Sequence, residues 1–223
     1  MTRVRWFQAE WPISIRALSA RMRQHAFTEN AQDGFLVDRA REERIEGRYV
    51  EKLSYTETVV NPFGQELSFE RVVYRQVEFT IYRDFPQIEL RDPPRGLQSF
   101  TSRLVELTEF RMSTAPVSVD VMKWVEALKL RVEPEIVVDT VQVSEVVFMP
   151  EITGTLLLKS RRDVRKALKD IVGPKTHTVD KARVAWVEDG SPVVVQLTNG
   201  GLVRIDAGRP EHVTLLRESL PKP

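Results

Sequence analysis

Five basic side chains crowd one short segment of this chain: Arg161, Arg162, Arg165, Lys166 and Lys169 lie between Ser160 and Gly173-Pro174. Residues 159–183 hold nine basic and three acidic side chains, a local +6, whereas the flanks run to −4 over 113–158 and −1 over 184–223. Such a surface suits a polyanion. Each Lys or Arg that neutralises a phosphate releases condensed counterions, and an arginine fork holds two phosphate oxygens at once. Arg161, Arg162, Arg165, Lys166, Lys169 and Lys175 are therefore the candidate nucleic-acid-binding residues, and they would contact phosphates with little base specificity. Lys181 and Arg183 could extend the set along the next strand. The competing reading is a solvated amphipathic face, or one paired with an acidic partner surface.

A second cluster, Arg3, Arg5, Arg16, Arg21 and Arg23 with Trp6, Phe7 and Trp11, has the mix of cations and aromatics that stacks on single-stranded nucleic acid. Packing is the stronger account, because these aromatics fall where the first strand and helix need core residues.

Catalytic chemistry finds little to work with. There is no cysteine, which excludes thiolate catalysis, Cys-ligated zinc and disulfides. His25, His177 and His212 are too far apart to form a local metal motif. His25, following Arg21 and Arg23, pairs a general base with cations, but no second such set occurs. Asp84 and Glu89 flank a proline bend ahead of Arg91, and no Glu-x-Lys tripeptide supplies the base that a metal-nuclease carboxylate set would require. No phosphate loop, nucleophile elbow or dinucleotide fingerprint is present. A dispersed hydrolase site built from His177, Asp180 and Glu188 is the remaining enzymatic alternative. No cofactor or metal is expected, and binding is favoured over catalysis.

The elements that must position these residues are legible in hydrophobic spacing. The 223 residues carry a net charge of +1 with 42% hydrophobic and 29% charged side chains, as in an ordinary globular protein. No apolar run of signal-peptide or membrane-span length follows the N-terminus, so a soluble, cytoplasmic protein without a membrane partner is expected. The totals conceal an asymmetry. Of 18 aromatic residues, 15 precede Ser113, while valine rises from nine before that point to 21 after it. Two domains are expected, residues 1–112, rich in aromatics and Arg, and residues 117–223, rich in Val, joined through Ser113-Thr114-Ala115-Pro116.

In the first domain a strand over Arg3–Gln8 leads into a helix introduced by Trp11-Pro12, with Ile15, Leu18, Met22 and Ala26 on one face. From Ile45 the odd positions Ile45, Tyr49, Leu53, Tyr55 and Val59 are mostly apolar. After Asn61-Pro62-Phe63-Gly64-Gln65 the pattern resumes at Leu67, Phe69, Val73, Val77, Phe79 and Ile81. Residues 44–82 therefore read as one long antiparallel hairpin. Its arms of roughly 50 Å exceed a small domain's width, so it must curve, bulge or project. A helix beginning at Asp92-Pro93-Pro94 turns Leu97, Phe100, Leu104 and Leu107 inward.

The second domain opens with a helix capped around Ser118, with the stripe Val121, Trp124, Val125 and Leu128. Strands follow over Glu135–Phe148 and Ile152–Lys159, the first with its alternation broken near Val146-Val147, as in a strand buried on both faces or bulged. The basic helix over 160–172 comes next, started by the capping box Ser160-Arg161-Arg162-Asp163 and burying Val164, Leu168 and Ile171. Three strands complete the set, His177–Glu188, Val193–Thr198 and Leu202–Asp206. The fold class is α+β: two antiparallel-sheet domains with helices packed on one face, the N-terminal one containing the long β-hairpin and the C-terminal one of ββαβββ order. The expected function is non-enzymatic binding, with nucleic-acid phosphates held by the basic helix. The alternative is a protein-assembly or regulatory interaction module that uses the hairpin or a sheet edge, through a protein partner or self-association.

Overall fold

The computed structural model describes residues 1–206 and 209–222. In chain order the elements are β1 (Thr2–Glu10), α1 (Ile15–Gln24), β2 (Asp33–Ala40), β3 (Arg44–Val60), β4 (Glu66–Tyr82), β5 (Ile88–Arg91), α2 (Gln98–Leu107) and β6 (Ser113–Pro116). They continue with α3 (Val121–Lys129), β7 (Val137–Met149), β8 (Ile152–Lys159), α4 (Arg165–Val172), β9 (Thr178–Glu188), β10 (Ser191–Thr198), β11 (Leu202–Asp206) and α5 (Pro210–Glu218). This is an α+β chain dominated by antiparallel strands. No described helix is long and apolar enough to cross a membrane.

The chain divides into two compact units, one formed by Ala9–Thr114 and the other by Met1–Gln8 together with the residues from Ala115 onward. The first eight residues join the later unit because of strand pairing: Thr2, Arg3, Val4 and Arg5 lie opposite Ile205, Arg204, Val203 and Leu202. A division drawn from composition cannot detect this, since a strand's partner is not encoded in its neighbours.

In the unit formed by Ala9–Thr114 the strand order is β2-β3-β4-β5, all antiparallel. The β3–β4 register runs without a slip from Arg44 opposite Tyr82 to Val60 opposite Glu66. Strict alternation of apolar residues fixes it, because a slip of one residue would turn every core side chain to the other face. Phe35, Ile45, Tyr49, Val77, Phe79, Ile81 and Leu90 fill the core with Leu18, Met22, Phe100 and Leu104 from the helices. Gly47 lets β2 approach, since a Cβ there would lie 2.4 Å from the Leu36 carbonyl oxygen. The Arg103 guanidinium clamps both carboxylate oxygens of Asp33 at 2.8 Å and so ties α2 to β2.

Several boundaries differ from the expected ones. Ser14, not Trp11-Pro12, caps α1, its Oγ accepting from the Ala17 N–H at 3.2 Å. Ala26 lies beyond the helix end, exposed, in a bridge to Phe35. Helix α2 starts at Gln98 rather than at Asp92-Pro93-Pro94, and Phe100, Leu104 and Leu107 are its buried residues.

In the other unit the order is β1-β11-β10-β9-β7-β8, again antiparallel. Asp120, rather than Ser118, caps α3 by accepting from the N–H groups of Met122 and Lys123. The stripe Val121, Trp124, Val125 and Leu128 is buried. Trp124 donates its indole N–H to the Leu216 carbonyl and to Ser219 Oγ, which fastens α3 to α5. Helix α5 has Pro210 in its first turn, where a missing N–H removes no helical bond. The sequence reading assigned nothing to this segment.

Candidate functional site

The basic helix is shorter than its sequence promises. Ser160 Oγ accepts from the Arg162 N–H at 2.9 Å and closes a local turn, while Asp163 Oδ1 accepts from the Arg165 N–H at 2.9 Å. The capping-box residues therefore serve two consecutive side-chain turns, and α4 begins only at Arg165. Its buried residues are Leu168 and Val172, following Val164, whereas Ile171 is 47% exposed. The inward stripe steps by four rather than three at its end, and Gly173, at φ 58, terminates the helix.

The six predicted cations separate into two groups. Arg165 belongs to the framework. It binds Asp163 through Nε at 3.0 Å, Glu126 through Nη1 at 2.9 Å and the Ile136 carbonyl through Nη2 at 3.4 Å. Burial opposes ionisation of Asp163. Hydrogen bonds from the Arg165 guanidinium and from the N–H groups of Arg165 and Val138 outweigh it and hold the carboxyl below its ordinary range. The bond to Asp163 correspondingly raises the Arg165 pKa against the opposing effect of burial. Arg161, Arg162, Lys166 and Lys169 are exposed and form no ion pair among the described residues. Lys175 sits with Nζ 5.0 Å from the Phe148 ring centroid, a cation–π contact. Of the two residues further along, Arg183 is paired with Asp139 at 2.8 Å.

The aromatics of the second basic cluster are occupied by packing. Trp6 is fully buried and meets Trp124 edge-on at 5.9 Å, Trp11 donates its indole N–H to the Tyr82 carbonyl at 3.0 Å, and Phe7 lies under the Arg5 guanidinium at 5.0 Å. Arg21 donates to the Leu107 carbonyl and to Glu109, whose carboxyl is held low by that contact. Arg16 and Glu42 border two grooves of about 510 and 580 Å³, and Arg23 and Arg41 line the second.

The residues weighed for catalysis are dispersed. His177 is exposed, with its Nδ1 2.7 Å from the Lys175 carbonyl oxygen. Asp180 accepts from Ser144 and Gln142. Glu188 bonds His212 Nε2, and His212 Nδ1 accepts from the Arg209 N–H. Asp180 and Glu188 both lie on β9, eight residues apart, which at a strand's rise separates them by roughly 26 Å. Glu89 is buried and receives Arg91, while Asp84 is exposed. Among the described residues no three His, Asp or Glu side chains gather as a metal site would need.

The most unusual surface is the outer part of the β3–β4 hairpin. Beyond Leu53 and Val73 neither strand is covered on either face, a length of roughly 23 Å. The period-two pattern nevertheless continues. Leu53 pairs with Val73, Tyr55 with Arg71, Glu57 with Phe69, and Val59 with Leu67. Tyr55, Val59, Leu67, Phe69 and Val73 thus share an exposed apolar face, crossed by one ion pair from Arg71 to Glu57 at 2.7 Å. The reverse face pairs Thr56 with Glu70 and Thr58 with Ser68, the latter two joined by hydroxyls 3.1 Å apart. At the tip, Asn61 Oδ1 accepts from the N–H groups of Phe63 and Gln65, and Gly64 at φ 80 completes a closed turn that holds Phe63 90% exposed. The spacing of apolar residues marks the hairpin but not where the core beneath it ends, which depends on the reach of α1, α2 and β5. Comparison of the sequence with models of known protein families and with curated proteins finds no match to either.

Proposed function

We propose that this chain is a non-enzymatic, cytoplasmic interaction module that engages a partner protein through the apolar face of its projecting β3–β4 arm. The observation that carries this reading is the continuation of an apolar face past the end of the core. Exposed charge needs no explanation on a protein surface, but a contiguous exposed apolar patch incurs solvation free energy that a partner relieves. A neutral arm also fits it. The strands between Lys52 and Arg75 carry Lys52, Arg71 and Arg75 against Glu57, Glu66 and Glu70, so they offer nothing to a polyanion.

Photo-crosslinkers placed at single positions along the arm test this in cells. Tyr55, Val59 and Phe69 should capture the same protein, while Thr56, Ser68 and Glu70 should not. Capture that ignores the alternation, or none from either face, rejects the proposal. Sedimentation of the protein with and without residues 56–70 adds whether the arm also joins copies of the chain.

A second reading rests on Arg161, Arg162, Lys166 and Lys169, four exposed cations that form no ion pair among the described residues. This surface suits nucleic-acid phosphates, with Arg165 excluded from direct contact by its own partners. A salt-titrated binding assay on the four-fold Glu variant tests it. Wild-type affinity should fall with rising salt, and each lost phosphate contact should reduce the log–log slope by about one. Absence of binding to any nucleic acid at low salt rejects it.

A further inference from the structure

The terminal strands β2 and β8 are finished differently. β2 carries Asp38 and Arg39, has a register shift between Val37 and Arg39, and has Phe35 hydrogen-bonded to the backbone of His25 and Phe27. Charges, bulges and covering chain are the devices that keep an edge strand from pairing with another molecule. β8 has none of these along its length. Its sequence, Ile152 to Lys159, contains no proline and no charge before Lys159, and both register shifts in the β7–β8 ladder place their extra residues in β7. Among the described residues no strand pairs with its outer side. Ile152 and Leu157 are more than half exposed on it.

We propose that β8 pairs antiparallel with β8 of a second copy of this chain, about a two-fold axis at Thr155. The occupant follows from the order of residues along the edge. Glu151 stands immediately before the strand and Lys159 at its end, both exposed and neither in an ion pair among the described residues. With Thr155 opposite Thr155, Lys159 of each copy reaches the β7–β8 turn of the other, where Glu151 stands at φ 67 just outside the ladder. Leu158 lies across from Ile152, Leu157 from Thr153, and Leu156 from Gly154. The symmetry makes every pair occur twice, so a Lys159–Glu151 contact closes each end of the ladder and a Leu158–Ile152 apolar pair lies just inside it. Moving the register by two residues, the smallest step that keeps side chains on their own faces, breaks this match. One direction sets Lys159 against Thr153 and leaves Glu151 facing Arg161, which lies beyond the strand in the Ser160–Arg162 turn, and the other sets Glu151 against Leu157. A strand so arranged is complementary to itself.

Sedimentation of the full chain across micromolar concentrations tests the pairing. The wild type should show a monomer–dimer equilibrium. Lys159→Glu and Glu151→Lys should each weaken it roughly tenfold, because each places like charges opposite one another twice. The combined Glu151→Lys/Lys159→Glu variant should restore it, with unchanged circular dichroism in all three. Phe69→Ser, in the arm, should leave the dimerisation constant unaltered, which separates this contact from the arm's. A wild type that stays monomeric overturns the proposal. So does a dimer indifferent to the single reversals, a double reversal no better than the singles, or a dimer abolished by Phe69→Ser alone.

Discussion

Phe69 and Phe79 point to the same face of β4, ten residues apart, yet Phe79 is 1% exposed and Phe69 is 56% exposed. Phe79 packs on Phe35 and Phe100 with ring centroids 5.9 and 5.5 Å away. Nothing comparable lies over Phe69, whose cross-strand neighbour is Glu57. Truncation to alanine should separate the two roles. Phe79→Ala should lose about 3–5 kcal/mol in denaturant unfolding. Phe69→Ala should stay within about 0.5 kcal/mol of wild type while it removes crosslinking to the partner.

Arg165 and Lys166 are adjacent in sequence and opposite in role. Arg165→Ala leaves Asp163 without its guanidinium partner, and the free energy of unfolding should drop by about 1–2 kcal/mol at neutral pH. Since the Asp163 carboxyl is held below its unfolded value, its contribution is present above an unfolded pKa of about 3.9 and is lost as pH falls through the lower folded value. The stability difference between Arg165→Ala and wild type should therefore shrink on acidification. Lys166→Ala should leave stability unchanged at every pH and reduce only polyanion affinity.

Burial, reinforced by the nearby Asp33 carboxylate, pushes the Tyr49 hydroxyl up to about 12. A pKa raised in the folded state contributes stability that is complete below the unfolded value of about 10 and is lost as pH rises through the folded value. Ultraviolet titration should show one of the four tyrosines ionising near 12, and Tyr49→Phe should remove that step. Among the described residues the hydroxyl makes no well-formed hydrogen bond, Arg103 being its only weak polar neighbour of that kind, so the Phe variant should match the wild type to within about 0.5 kcal/mol at neutral pH.

Gly47 admits β2 to the sheet. Gly47→Ala drives a Cβ against the Leu36 carbonyl and should destabilise the β2–β3 contact, a loss of roughly 1–3 kcal/mol with faster amide exchange concentrated in β2. Gly64→Ala, at the exposed tip with open space around it, should act only through the strain of its positive φ.

What the sequence revealed and what it hid divide along the range of the forces involved. The hairpin was legible because Ile45 through Ile81 alternate and Asn61-Pro62-Phe63-Gly64-Gln65 is a local turn signal. The stripe of α3 was legible for the same reason. Boundaries failed where local side-chain bonds competed: Ser160 and Asp163 closed turns of their own, so α4 began late. Distance in sequence likewise hid a partner. Arg165 looked like its neighbours until Glu126, 39 residues earlier, reached it. The exposure of Phe69 was invisible because its spacing matches that of the buried Phe79; periodicity reports a face, and coverage depends on the whole unit.

The pairing of Thr2–Arg5 with Leu202–Ile205 governs the order in which this protein can mature during synthesis. The unit from Ala9 to Thr114 has all its own strands and helices once residue 114 has emerged. β1 must wait for β11, about 200 residues further along the chain, before this ladder can close. A ribosome-bound chain therefore carries Thr2–Arg5 without its β11 partner while the intervening residues are added, and closure of the later unit is set by that long-range step rather than by the speed of its local hairpins.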